Sequence, residues 1–100
     1  MNPNRSKGIR FELKIMHELI ALGFKALTSR NESKTLDAQK VDLVSNFPFF
    51  IQCKNTERLP NPWDIFNAMP KDKPPCIFWT KNHKEDLVIL NKKDFYKLIK

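Results

Sequence analysis

Val41-Asp42-Leu43-Val44 and Phe49-Phe50-Ile51-Gln52-Cys53-Lys54 decide how this chain is read, because both apolar runs carry polar groups where strand interiors are normally apolar. Side chains alternate across a strand, so Gln52 and Lys54 share a face with Phe50, while Phe49, Ile51 and Cys53 share the other. If Ser45-Asn46-Phe47-Pro48 closes a hairpin centred near Phe47, Asp42 falls opposite Gln52 on that same face. A carboxylate, an amide oxygen and an ammonium then point one way from adjacent strands, an arrangement suited to metal-dependent phosphodiester cleavage.

Outward from this pair, residues 6–22 read as a helix with Ser6 as N-cap and Gly23 as the stop. Ile9, Leu13, Met16, Leu19 and Ile20 gather on one stripe, with Glu12 inside it and Glu18 on the opposite side. An acid among core-facing residues needs a partner or a metal. Phe24–Thr28 reads as a short strand, and Ser29–Lys40, which has no apolar period, as an exposed loop. Beyond the hairpin, Asn55–Pro60 is a connection. Asn61, Pro62 and Asp64 then open a short helix that ends before Pro70. Cys76–Thr80 and Leu87–Leu90 are two more strands, and Asn91 caps a terminal helix with Asp94 in its first turn. The expected order is αβββαββα, a central mixed five-stranded sheet flanked by helices within one domain, residues 1–100.

Eighteen Lys and Arg against eleven acids give a formal charge of +7, which favours a polyanionic partner, with nucleic acid the leading candidate. A basic surface serving only solubility is the alternative reading. No apolar run approaches the roughly 20 residues that span a bilayer, and the N-terminus lacks the apolar core of a signal peptide. An intracellular, cytoplasmic location without membrane contact is expected. Cys53 and Cys76 read as small buried apolar residues. Their spacing with His17 and His83 matches no zinc pattern, and a disulfide is not expected. His17 and His83 read as surface or structural residues, and Trp79 as a core residue.

Magnesium prefers oxygen ligands and keeps several waters, so a few oxygens from Glu12, Asp42 and Gln52 are enough to hold it, with Mn2+ as a substitute. Lys54 beside them could orient or deprotonate a water, or stabilise developing negative charge. The competing reading of Asp42 and Lys54 is a cross-strand ion pair at a sheet edge, worth about 0.2–1 kcal/mol. Glu12 weighs against it, since one metal accounts for several separate intrusions of polarity into apolar faces. Asp37 reads more readily as a loop acid than as a further ligand. Arg5, Lys7, Arg10, Arg30, Lys34 and Lys40 are candidates for DNA contacts.

Asp42, nine residues, then Gln52-Cys53-Lys54, preceded by a helix bearing Glu12, resembles the PD-(D/E)xK nuclease superfamily, whose core is restriction-endonuclease-like. Ser6-Lys7-Gly8, Arg10-Phe11-Glu12 and the basic loop around Arg30 are similar to archaeal and phage-type Holliday junction resolvases. The resemblance implies Glu12 and Asp42 as metal ligands, Gln52 in place of the second acidic ligand, the Cys53 backbone carbonyl as a further contact, and Lys54 as the catalytic lysine. It also implies a homodimer acting on branched or double-stranded DNA without a small-molecule cofactor. Val41 stands where the superfamily name has proline, and Gln52 leaves two nearby carboxylates in place of three. An Mrr-like restriction or repair nuclease, or a DNA-binding protein that kept the fold and lost catalysis, are the alternative readings. Gln52→Glu is expected to preserve the fold and tighten metal binding.

Overall fold

The first helix, α1 (Pro3–Ala21), buries Phe11, Ile15 and Leu19, an i, i+4, i+8 row. The expected stripe is therefore turned by about 100°, one residue's rotation. Ile20 is exposed, and Ile9, Leu13 and Met16 are only half-buried. Apolar residues cover a broad arc of this helix, wide enough to hold two overlapping stripes, and the sheet selects the one holding Phe11 and Ile15. Ser6 lies within the helix and is not its cap. Gly23 ends it as expected: its φ of +100° is a backbone state that side chains disfavour, and its N–H donates to the Ile20 carbonyl. The computed structural model describes residues 3–100; Met1 and Asn2, part of the stretch read as lacking a signal peptide, lie outside them.

The fold is mixed α/β, but the five strands form two sheets and not one. Strand β1 (Ala26–Thr28) pairs antiparallel with β2 (Leu43–Ser45), placing Leu27 opposite Val44. Strand β3 (Phe50–Asn55) runs parallel to β4 (Pro75–Thr80), which pairs antiparallel with β5 (Leu87–Leu90). The expected β2–β3 ladder fails for a local reason. Asp42 sends its N–H to the Ile51 carbonyl at 2.8 Å, yet its own carbonyl accepts from the Ser29 N–H. Asn46 is bonded to Lys25 on the β1 side, and the Phe47 ring turns inward against Phe24, Phe49 and Phe78. The chain after Asp42 is thus held away from β3.

The expected loop at 29–40 is also corrected, because it forms two short helices, α2 (Ser29–Glu32) and α3 (Lys34–Ala38). Ser33 lies between them and caps α3 by accepting from the Leu36 N–H. Ser29 is fully buried, and half-buried Leu36 packs against the core, so this polar stretch has an inner side too sparse to register as a period. Helix α4 (Pro62–Ala68) starts as read, with the Asn61 side chain accepting from the Trp63 and Asp64 N–H groups and Pro62 in the first turn. In α5 (Lys92–Ile99) Asn91 holds the cap position, but its side chain makes no cap bond.

Two apolar clusters lie either side of β3. Phe49, Ile51 and Cys53 meet Phe11, Ile15 and Leu19 of α1. Phe50 meets Ile65, Phe66 and Met69 around α4, together with Val41 and Ile77. The alternation read from the sequence holds, with both faces of the strand covered. Among the described residues, no helix is long and apolar enough to cross a membrane.

Candidate functional site

Where β2 and β3 part, a cleft of about 360 Å³ opens between the start of α1, α2, α3 and the end of β3. It is lined by Glu12, Asp42, Gln52, Cys53 and Lys54, with Arg5, Arg30 and Asp37 around them. Strand β3 sets the geometry by its backbone. Phe50 donates to the Pro74 carbonyl just ahead of β4 and Thr56 to that of Thr80 at its end, and the two-residue period turns the N–H and C=O of Ile51 and Cys53 the other way, toward Asp42. The Ile51 carbonyl takes the Asp42 N–H, and the Cys53 N–H donates to Asp42 Oδ2 at 2.7 Å. By the same period the Cys53 carbonyl faces this edge.

Asp42 is buried, and Gln52 Nε2 donates to the same Oδ2 at 2.6 Å. Burial pushes its carboxyl up to about 7; the Cys53 N–H and Lys54 pull it down, while Glu12 and Asp37 add to the rise. The ion pair Asp42–Lys54 does not form. Among the described residues Lys54 has no salt-bridge partner, and it stands half-buried on the cleft wall. The competing reading of those two residues as a surface pair is therefore corrected.

Glu12 pairs instead with Arg30, through Oε1 and Nη1. Its carboxyl is held above the usual range by burial first and by Asp37 as well, against the opposing pull of Arg30 and Lys54. Arg30, read as a candidate DNA contact, is half-buried and already charge-paired with Glu12. Asp37 is exposed and lines the cleft, and it sits on α3 and not in a loop as read. Arg5 lines the cleft; Lys7, Arg10, Lys34 and Lys40 do not. Asn55 and Thr56 line it and escaped the sequence reading, although Asn55 was visible as another polar residue at the end of an apolar run.

Several side-chain oxygens around the cleft carry no hydrogen bond among the described residues, and Asn55 Oδ1 on its wall is buried without a partner. The bonds to Asp42 fall on Oδ2 and the one to Glu12 on Oε1, leaving Asp42 Oδ1 and Glu12 Oε2, while Gln52 Oε1 is buried without a partner. A buried carbonyl oxygen without a donor costs about 1–3 kcal/mol, so Gln52 is poised to accept something the protein does not supply. Two carboxylates, an amide and a backbone carbonyl form an all-oxygen set of the kind a hard divalent cation prefers. No three His, Cys, Asp or Glu side chains gather as a ligand set among the described residues. Cys53 and Cys76 are buried free thiols, both pushed up by desolvation, Cys76 to about 12. No family model matches this chain, and neither a curated protein nor a solved structure does.

Proposed function

We propose that this chain is a Mg2+-dependent endonuclease of the PD-(D/E)xK kind that cuts branched DNA as a homodimer, a Holliday junction resolvase. The observation that carries the reading is the unpartnered Gln52 Oε1 in the cleft that also holds Glu12, Asp42 and Lys54. Glu12, Asp42, Gln52 and the Cys53 carbonyl would hold the cation, with Mn2+ able to replace it. When bound, it supplies charge for the phosphate and lowers the pKa of a water. Lys54 contributes a cation not tied up by any carboxylate, placed to orient a water or to offset negative charge on a phosphate oxygen. Arg5 at the cleft rim adds a phosphate contact, and the +7 charge draws DNA from a distance. Two strands cut about a two-fold axis need two copies of a chain with one site.

Cleavage of a labelled four-way junction and of linear duplex, with Mg2+ or Mn2+, tests this. Wild type should cut the junction preferentially, and Asp42→Ala and Lys54→Ala should each lose about 100-fold or more. Equal background in all three proteins would end the nuclease reading, and equal cutting of both DNAs would leave a repair or restriction nuclease.

A DNA-binding protein without cleavage is the second reading, favoured by one observation. With Gln52 neutral and the Asp42 carboxyl pushed up to about 7, the cleft holds less negative charge at neutral pH than three ionised acids would. Tight junction binding with no cleavage at any cation concentration would select it.

A further inference from the structure

A cavity of about 600 Å³ lies at the far end of β3 from the cleft, where the start of β4, the end of α4 and the first turns of α5 meet. Phe49 lines it and Thr56 lines the cleft, so at about 3.3 Å per residue the two sites stand roughly 20 Å apart along the strand. Its volume suits a small-molecule site. Buried Phe49 and Phe66, with Pro70, Pro74 and Pro75, give it apolar walls of restricted backbone.

Asp94 is the group in these walls that lacks a local explanation. Its side chain is 8% exposed, yet no hydrogen bond reaches either carboxylate oxygen among the described residues, and Lys97 Nζ comes only to 4.0 Å of Oδ1. The helix terminus favours an acid in this turn, but burying a carboxylate away from water without donors is costly. Four lysines and one further acid, Asp72, complete the charged lining, which is therefore net cationic. Lys73 is already engaged, donating to the Ser45 and Phe47 carbonyls at 2.7 and 2.9 Å, and Lys71 lies 3.3 Å from the Phe66 carbonyl. Lys93 and Lys97 are exposed and hold no carbonyl among the described residues.

A ligand for this cavity has to bring N–H donors to Asp94, a flat apolar body to the ring and proline walls, and negative charge to Lys93 and Lys97. A basic peptide meets the first demand and is repelled by the lysines. We infer that the cavity binds a guanine nucleotide. Guanine presents N1–H and its exocyclic amine side by side, one for each free oxygen of a carboxylate, and its phosphate supplies the charge. Adenine and cytosine set a lone pair beside their one amine, and thymine sets its N–H between two carbonyls, so each turns an acceptor toward Asp94. A free mononucleotide and an unpaired guanine in a strand carry the same base and phosphate. The cavity shares no lining residue with the cleft, so this assignment stands whether or not the cleft cuts DNA.

Calorimetric titration of the full chain in chelator, which removes the cation that cleavage needs, tests it. Guanosine monophosphate should bind at least about tenfold more tightly than adenosine monophosphate, with inosine monophosphate, which lacks the exocyclic amine, between them. Asp94→Asn keeps the shape and turns one acceptor into a donor, so it should lose guanosine monophosphate about tenfold and gain xanthosine monophosphate, whose O2 replaces the amine. A purely structural role for Asp94 does not produce that exchange. Lys93→Ala with Lys97→Ala should weaken the nucleotide about tenfold and leave guanosine unchanged. A short oligothymidine with one guanine, titrated beside deoxyguanosine monophosphate, separates the two sources by which binds more tightly. No binding, equal affinity for guanine and adenine nucleotides, or affinity unchanged in both sets of variants would overturn the site. A chain that binds guanine in this way and never cuts DNA defeats the nuclease reading alone.

Discussion

Strand β3 and strand β5 break the usual rule of burial in opposite directions. At β3, polarity is buried: Gln52 and the Asp42 it touches are covered although the run around them is apolar. At β5, apolarity is exposed: Leu87 and Val88 keep half their surface in water. A folded chain tolerates buried polar groups and open apolar edges at a cost. In the proposed function the first departure is the cation site, while the second leaves an apolar strand edge open to water. The two departures also differ in mechanical support. Ile51 lies inside the cluster beneath α1 with no exposed surface, whereas Leu87 borders open solvent on an edge strand.

The largest test of that contrast is therefore in stability. Ile51→Ala should cost about 2–5 kcal/mol, since the cavity it leaves is walled by α1 and the sheet and cannot collapse. Leu87→Ala should cost only about 1 kcal/mol, because half of that side chain stays in water and no closed cavity is left. Urea unfolding of both variants gives the comparison. Similar losses at the two sites would mean that β5 is as well supported as β3.

Acidity is the next test. The Asp42 carboxyl is pushed from 3.8 to about 7 by folding, so between those values the folded chain holds a proton that the unfolded chain releases. Stability must then fall as pH rises through that window, by on the order of 2–4 kcal/mol without divalent cations. Glu12 is shifted the same way and adds to the slope. Asp86, held low by Lys14, has the opposite sign, with stability lost below about pH 4. Asp42→Asn isolates the main contribution, since it should remove most of the loss at pH 8 while leaving pH 5 nearly unchanged. Thermal melts in chelator at the two pH values read it directly, and a wild-type protein more stable at pH 8 would show that Asp42 ionises without penalty.

Much of this site was legible in the residues, and the reasons for the rest are physical. Alternation in Phe49–Lys54 gave the two faces of β3 correctly, because a strand covered on both sides still has a period of two. Asp42 reached Gln52 as read, although no ladder carried it there: one backbone bond to Ile51 and the reach of the carboxylate replaced a hairpin. The break in the sheet depends on Asn46 choosing Lys25 and on Phe47 turning inward, neither of which a hydropathy pattern encodes. Arg30 was visible as a cation but not as the partner of Glu12. That pairing requires residues 29–32 to be helical, and four residues carry too little period to say so.

Gln52→Glu is the smallest expected change and the one that best separates the two costs at β3. In the wild type Gln52 Nε2 donates to Asp42 Oδ2 while its own Oε1 goes without a donor. A glutamate removes that donor and sets two carboxylates against each other, with Glu12 and Asp37 also nearby. The fold should still be preserved, though at a cost when no cation is bound. Without cation at pH 8 the variant should lose about 1–2 kcal/mol, and at pH 5 a shared proton should restore most of it. With Mg2+ the same two carboxylates become ligands, and binding followed by calorimetry should tighten by about tenfold. The variant is then less stable than wild type empty and closer to it, or beyond it, when loaded. Destabilisation that added cation fails to relieve would make the buried amide a structural clasp on Asp42, leaving its free oxygen without a ligand to accept.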